Sequence, residues 1–343
     1  MKNRLPGLAV VLALAAPLAS EAQRDNPHRI PTNLAGVTAY NPPPAGFDPI
    51  KATDEELADW GFPPRPDQTL FPEEYANWVR VRTALKTRII PHLVQTNIVH
   101  GPHQSAGDPE SVENGSLKSL NWSGYVDVND TKKYGSSSFT DIGTTIVVPS
   151  ARQAFNACDG TWDYAWSTVG IDGYKTTEIA QAGVEFDAMC SGGSTSAYYS
   201  PFYEWFPNGQ VRVTNLPISP GENYFMAVHI ESATTMNVEI GNLTQGIFFG
   251  VDVTAPAGTV TVGNSAEWIT ERPGGSDSEI VLDNYAANAY WSATAVTAKG
   301  SLSHPGSSSV KEVTMQDRKG KNISVPTHLG TSAFVVKAEG SAY

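Results

Sequence analysis

The chain has 343 residues, a hydrophobic content of 40% and a formal net charge of −12. Residues 116–343 carry 13 Lys or Arg against 22 Asp or Glu, and this acidic balance argues against nucleic acid or an anionic membrane as a partner. Only 35 of those 228 residues are charged. Protonation of the carboxylates therefore leaves few cations to repel one another, which favours tolerance of acid.

The first residues have the pattern of a secretory signal peptide. Lys2 and Arg4 form a basic start, residues 8–18 are apolar but too short to cross a membrane, and a small-residue cleavage site ends at Ala22. We therefore expect residues 1–22 to be removed and the product to be secreted to the extracellular medium, without a membrane anchor.

Residues 23–115 differ in composition from the rest of the chain, because 15 of the 24 prolines lie before residue 116. A capping box at Thr53 predicts a short helix that stops at Gly61. Pro72 begins a second predicted helix, which extends to about Arg88. Its basic side chains could dock on the acidic domain that follows; they are Arg80, Arg82, Lys86 and Arg88. We predict a partly helical propeptide, and a small accessory domain is the alternative.

From Asn121 onward the hydrophobic pattern has a period of two, which predicts strands separated by Gly, Pro, Asn and Ser turns. So many strands do not fit one flat sheet, so residues 116–343 are predicted to be an all-β sandwich of two antiparallel sheets. The predicted strands are 124–128, 139–149, 163–170, 177–187, 197–206, 224–231, 237–242, 246–253, 267–271, 280–282, 289–296, 310–315 and 334–337.

The chain has two cysteines, Cys158 and Cys190. In an exported protein they could form one disulfide, since each lies in a loop that flanks the same pair of predicted strands. Two free thiols are the alternative.

Two polar residues on predicted strands stand out. Alternation places the apolar side chains of strand 177–187 towards the core, so Gln181 faces a groove on the other side. Glu271 ends strand 267–271, where it could meet Gln181 across neighbouring strands. A carboxylate that activates water beside an amide that stabilises an oxyanion is sufficient for peptide hydrolysis without a metal.

Four segments carry a family resemblance that runs from about residue 121 to the C-terminus. They are Asn121-Trp122-Ser123-Gly124-Tyr125, the run from Gly170-Ile171-Asp172-Gly173 to Gln181-Ala182-Gly183, Tyr203-Glu204-Trp205-Phe206-Pro207 and Ala266-Glu267-Trp268-Ile269-Thr270-Glu271. Together these segments resemble the glutamic peptidases, or eqolisins. The resemblance implies a lectin-like (concanavalin-like) sandwich with a concave substrate groove. It also implies that Glu271 and Gln181 are catalytic.

The resemblance also implies residues that bind substrate. Asp172 and Glu204 are expected to be acids that line the cleft, and Trp122, Phe202 and Tyr203 to be its aromatic walls. The family usually has a tryptophan two residues before the glycine of its Gly-Ile-Asp-Gly motif, where this chain has Thr168. Trp166 lies two residues further back on the same strand face and could replace that wall.

The predicted function is a secreted acid endopeptidase that acts on polypeptides as a monomer, with its own propeptide as an intramolecular inhibitor. We expect neither a metal nor an organic cofactor, because the chain has no His-Glu-x-x-His spacing. Gly-x-Ser-x-Gly and Asp-Thr-Gly signatures are also missing. One alternative is a β-sandwich glycoside hydrolase that uses Glu204 and Glu271. Another is a lectin-like carbohydrate-binding module that holds calcium near Asp172.

Overall fold

A computed structural model describes residues 26–103, 112–113, 116–128, 138–153, 158–273 and 282–340. The predicted signal peptide and the predicted boundary at residue 115 lie outside the described residues. In chain order the elements are β1 Arg29–Pro31, β2 Val37–Tyr40, α1 Asp54–Asp59, α2 Pro72–Ala84, β3 Thr87–Arg88, β4 Leu93–Gln95, β5 Val112–Glu113, β6 Ser116–Ser119, β7 Trp122–Val128, β8 Phe139–Val147, β9 Trp162–Asp163, β10 Trp166–Asp172, β11 Ile179–Ser191, β12 Ser194–Trp205, β13 Val211–Val213, β14 Asn223–Ser232, β15 Thr235–Asn242, β16 Ile247–Thr254, β17 Ser265–Glu271, β18 Asn288–Thr297, β19 Leu302–Ser303, β20 Val310–Gln316, β21 Asn322–Gly330 and β22 Ala333–Ala338.

These strands form two antiparallel layers, which confirms the predicted all-β sandwich. The layer that we call the groove sheet has the order β20–β7–β17–β10–β11–β12–β13–β4. The second layer, the back sheet, has the order β2–β16–β15–β14–β8–β18–β22–β21. Strand β20 also pairs with β21 and so connects the two layers at one side.

The main hydrophobic core lies between the layers, where β10 and β11 pack over β8 and β14. Alternation along β11 explains the packing, because every second side chain faces the back sheet. Those core side chains are Ala180, Ala182, Val184 and Phe186. Complete burial of a side chain as large as phenylalanine contributes roughly 1.5–3 kcal/mol, so this row fixes which face of β11 is left for the groove.

Both helices of the described residues lie before residue 116, as predicted. Thr53 and Glu56 form the capping box at the start of α1. Helix α2 ends at Ala84, four residues before the predicted end at Arg88. The cause is tertiary: the backbone N–H of Thr87 donates to Gly246 O, and the chain continues as β3, parallel to β16.

Helix α2 does not lie over the groove. It packs on the outer face of the back sheet, where Trp78, Val81 and Leu85 form a cluster with Phe248. Arg82 from this helix forms a buried ion pair with Glu239 of β15. The groove is instead covered by an extended stretch further along the chain.

Cys158 and Cys190 form a disulfide that ties the chain before β9 to the end of β11. Neither helix in the described part of the chain is long and apolar enough to span a membrane.

Candidate active site

The face of the groove sheet that points away from the core carries polar side chains. Gln181 lies on this face of β11, opposite Gly170 of β10 on one side and Glu204 of β12 on the other. Gly170 is in turn opposite Glu267 of β17. A Cβ atom on Gly170 would lie 2.6 Å from Glu267 Oε1 and 3.2 Å from Gln181 Cβ. Glycine at this position therefore allows the acid and the amide to approach each other over β10.

Glu271 lies on the same face of β17, four residues further along. It is opposite Trp122 of β7 and Trp166 of β10, and it is fully buried. Strand β10 separates it from the strand of Gln181, so the prediction that the two residues lie on neighbouring strands is wrong. The two predicted catalytic residues nevertheless share one face of one sheet.

Two carboxyl groups of the groove have raised pKa values. Burial raises the pKa of Glu204 to about 8, and nearby Glu271 adds to the rise, although His100 opposes it. Burial also raises the pKa of Glu267 well above its ordinary value, with further contributions from Asp172 and Glu271. These shifts favour the neutral acid over a wider pH range than in water.

The residue that brings Glu204 and Glu271 together is His100, which the sequence analysis missed. Its Nδ1 lies 2.5 Å from Glu271 Oε1, and its backbone N–H donates to Glu204 Oε1 over 3.0 Å. Its Nε2 lies 2.8 Å from Gln210 Oε1. One residue from the N-terminal part of the chain thus contacts both acids of the groove.

The imidazole of His100 is also enclosed by aromatic rings. Its centroid lies 3.7 Å from that of Trp166 and 4.5 Å from that of Phe202. Burial lowers the pKa of His100, but Glu204 and Glu271 raise it more, and the net shift is upward. The groove therefore favours the imidazolium form, which pairs with carboxylates.

His100 belongs to an extended stretch, residues 93–103, that we call the covering segment. It begins as β4, which adds an antiparallel strand to the edge at β13. Beyond β4, the N–H of Thr96 donates to Gln210 O and the N–H of Gln210 donates to Ile98 O, each over 2.9 Å. A Cβ atom on Gly209 would lie 2.4 Å from Thr96 O. Gly209 therefore permits close approach of an extended backbone.

The other end of the covering segment lies at the far side of the groove. The N–H of His103 donates to Gly173 O over 2.9 Å. The imidazole of His103 contacts the rings of Trp122 and Tyr174. An extended chain thus crosses the groove from the edge at β13 to Trp122, over the two acids.

Some buried polar atoms under the covering segment have no hydrogen-bond partner among the described residues. They include Oε1 and Nε2 of Gln181 and Oε2 of Glu271. Buried polar groups are nearly always paired in folded proteins, so unpaired groups at the bottom of a groove indicate a place where a polar ligand binds.

The other residues predicted from the sequence divide into two groups. Trp122, Trp166, Phe202 and Glu204 lie on the groove face. Tyr203 does not, because alternation turns it into the core between the layers; its predicted position in the cleft wall is wrong.

Asp172 ends β10 with a positive φ of 73° and accepts the N–H groups of Val262 and Asn264. It therefore holds the loop before β17. Among the described residues, no group of three or more His, Cys, Asp or Glu side chains could hold a metal ion.

Comparisons with known proteins agree with this geometry. The family model of the peptidase A4 family matches residues 120–337. Aspergillopepsin-2 of Aspergillus niger is 27% identical over 204 residues, which are 57% of this chain and 70% of that protein. Scytalidopepsin B of Scytalidium lignicola is 29% identical over 167 residues, 47% of this chain and 56% of that protein.

Two solved structures have a similar fold. A crystal structure of scytalido-glutamic peptidase with a transition state analog inhibitor aligns with a TM-score of 0.51 and 22% identity, covering 64% of this chain and 98% of the other. A second, with a peptide-based transition state analog, gives a TM-score of 0.50 with the same identity and coverage. The family match spans more than half of the chain. The chain therefore belongs to the peptidase A4 family, the glutamic peptidases or eqolisins, which hydrolyse peptide bonds.

Proposed function

We propose that the protein is an acid endopeptidase in which Glu271 is the general base and Gln181 stabilises the oxyanion. The observation that supports this most directly is the covering segment, an extended polypeptide that lies across the groove with His100 2.5 Å from Glu271. A groove that accommodates this stretch of its own chain has the shape for a substrate polypeptide.

In the proposed reaction, the Glu271 carboxylate takes a proton from water, and the water oxygen attacks the scissile carbonyl carbon. The Nε2–H of Gln181 donates to the oxyanion of the tetrahedral intermediate. Protonated Glu271 then gives its proton to the leaving amine as the C–N bond breaks. The amide of Gln181 does not titrate, so its role is the same at any pH.

Glu204 is proposed to support this amide as a neutral acid. It lies opposite Gln181 in the adjacent strand, and burial raises its pKa to about 8. At acid pH its carboxyl group is protonated, so it places no negative charge beside the developing oxyanion. This is one physical reason to expect an acid optimum.

The N-terminal part of the chain is proposed to be an inhibitory propeptide. The covering segment places His100 against both acids of the groove, where it excludes water and substrate. Further contacts hold this part on the sandwich from behind, including the buried pair between Arg82 and Glu239. Inhibition is therefore expected to come from the extended segment, with α2 as an anchor on the opposite face.

We also propose that the protein is secreted and acts as a monomer on polypeptides. The residues that support secretion are Lys2, Arg4 and the apolar stretch before Ala22, which form the signal pattern. The disulfide between Cys158 and Cys190 is consistent with this, since disulfides persist in oxidising compartments.

The test is hydrolysis of a denatured protein by the full chain after incubation at acid pH, with pepstatin present to block pepsin-like contaminants. Gln181→Ala removes one oxyanion donor, which should cost about 100- to 1000-fold in kcat. Glu271→Gln removes the general base and should cost about 100- to 10,000-fold. Gln245→Ala and Glu178→Gln are matched controls outside the groove and should retain activity.

Full activity of the Glu271→Gln variant would refute the assignment of the base, and full activity of Gln181→Ala would refute that of the oxyanion donor. If the wild-type chain itself did not cleave at any acid pH, the proposed function would be wrong.

A further inference from the structure

A cavity of about 250 Å³ opens beside the groove, close to the point where the covering segment leaves β4. Its lining residues are Ile98, Trp162, Tyr164, Asp187, Tyr198 and Arg212. Ile98 belongs to the covering segment, and the others belong to the β-sandwich. The catalytic mechanism proposed above uses none of these side chains.

The position of Ile98 follows from that of His100. Side chains two residues apart on an extended chain point to the same side, so Ile98 and His100 both face the sandwich. The backbone around Ile98 is held by hydrogen bonds to the main chain of Gln210, and Gly209 permits its close approach. Main-chain bonds of this kind do not depend on side-chain identity, so any extended peptide can form them.

The walls of the cavity combine three aromatic rings with two charged side chains. The rings of Trp162 and Tyr198 remain 36% and 37% exposed, although large aromatic side chains are usually buried. The Arg212 guanidinium lies 4.8 Å from the centre of the Tyr198 ring and is paired with Glu185 over 2.6 Å. Its charge is thus neutralised within the wall.

Asp187 also lines the cavity and is 2% exposed. Burial raises its pKa well above the ordinary value, and nearby Glu185 adds to the rise. At acid pH this wall is therefore neutral as well. About 250 Å³ remains open beside Ile98, so a side chain larger than isoleucine also fits.

We propose that this cavity, the Trp162–Tyr198 pocket, is a specificity subsite that binds a large apolar side chain, aromatic or branched aliphatic, of the substrate polypeptide. This side chain belongs to the second or third residue on the N-terminal side of the scissile bond. The reason is that Ile98 lies two residues before His100, and His100 contacts Glu271. The inference rests on the proposed peptidase function.

The test uses two series of fluorogenic peptides, hydrolysed by the acid-incubated full chain. Within each pair the peptides differ only by Phe or Gly, at the second residue before the scissile bond in one series and at the third in the other. A filled apolar pocket typically discriminates about tenfold or more, so kcat/KM of the wild type should favour Phe by at least about tenfold. Trp162→Ala and Tyr198→Ala should each reduce this ratio to below about threefold. Trp291→Ala is the matched control, since Trp291 is 43% exposed on the back sheet.

A second measurement does not depend on a correctly chosen scissile bond. Synthetic peptides of residues 92–103 are added as inhibitors, with Ile98 retained or replaced by Gly. The wild-type peptide should inhibit at least about tenfold more strongly than the Gly peptide. Trp162→Phe should preserve that difference, and Trp162→Ala should abolish it.

The outcomes separate the two proposals. Cleavage by the wild type without preference at the second or third position, and equal inhibition by both peptides, would overturn the subsite and leave the peptidase function intact. No cleavage of any peptide by the wild type would overturn the peptidase function itself.

Discussion

Replacement of His100 by alanine in the full chain should open the groove. In the wild type this side chain lies 2.5 Å from Glu271 Oε1 and 2.8 Å from Gln210 Oε1, with its ring against Trp166. Alanine retains the backbone N–H that donates to Glu204 but removes the side-chain contacts. When the covering segment of this variant lies over the groove, Glu271 is buried without the imidazolium that faces it in the wild type.

The magnitude follows from these contacts. Removal of one partner from a buried charged pair costs about 3–5 kcal/mol, because the other charge stays desolvated. At about 1.36 kcal/mol for each factor of ten, the lower value corresponds to a roughly 150-fold larger fraction of molecules with an open groove. Stacking on Trp166 adds to this loss, so 150-fold is the conservative expectation.

The assay is the initial rate of hydrolysis of a fluorogenic peptide by the intact full chain, recorded before electrophoresis detects any shortening. His100→Ala should be about 150-fold faster than the wild type in this phase. After both chains have been shortened in acid, their turnover should be equal. His92→Ala changes an exposed histidine on the same stretch of chain and is the control. Equal initial rates for His100→Ala, His92→Ala and the wild type would refute the inhibitory role of His100.

Three further variants test the groove, the pH response and the docking of the N-terminal part. Gly209→Ala places a Cβ atom where Thr96 O now lies at 2.4 Å, so an extended substrate should approach this edge less closely. KM for peptides should rise by about tenfold in the acid-shortened chain, measured by steady-state kinetics. Burial raises the pKa of Asp283 from 3.8 to about 9. A carboxyl group with a raised native pKa stabilises the fold fully below about pH 4, and that contribution is lost as the pH rises towards 9. Asp283→Asn should therefore reduce the loss of stability between pH 4 and 7 by up to about 4 kcal/mol, measured by urea unfolding at both values, and an unchanged pH dependence would contradict this. Arg82→Met leaves the carboxylate of Glu239 buried and unpaired, so thermal unfolding should show a destabilisation of about 3–5 kcal/mol, which Arg82→Met combined with Glu239→Leu should largely reverse.

Much of the fold could be predicted from local pattern. The alternation in residues 177–187 correctly assigned the core face of β11, because burial of one face is a local property of the sequence. The capping box at Thr53 correctly placed the start of α1. Strand β13, Val211–Val213, was missed because three residues contain too little alternation to detect, and β4 stabilises it from a distant part of the chain.

The site could be predicted only in part, because the local sequence pattern does not determine the order of strands in a sheet. Motif similarity identified Gln181 and Glu271, but it could not reveal that β10 lies between their strands. Tyr203 was placed in the cleft together with Phe202, although alternation does not allow two consecutive strand residues to face the same side. His100 was missed because its segment has no periodic pattern and acquires its position from partners more than 100 residues away.

The N-terminal part also covers both outer strand edges of the sandwich in the described chain. Strand β4 pairs with β13 at the end of one layer, and β2 pairs with β16 at the end of the other. A molecule that loses this part presents two rows of free main-chain donors and acceptors, and such rows act as templates for association between molecules. After such a loss, association through these two edges rises with protein concentration, so the monomer that we propose requires dilute solution.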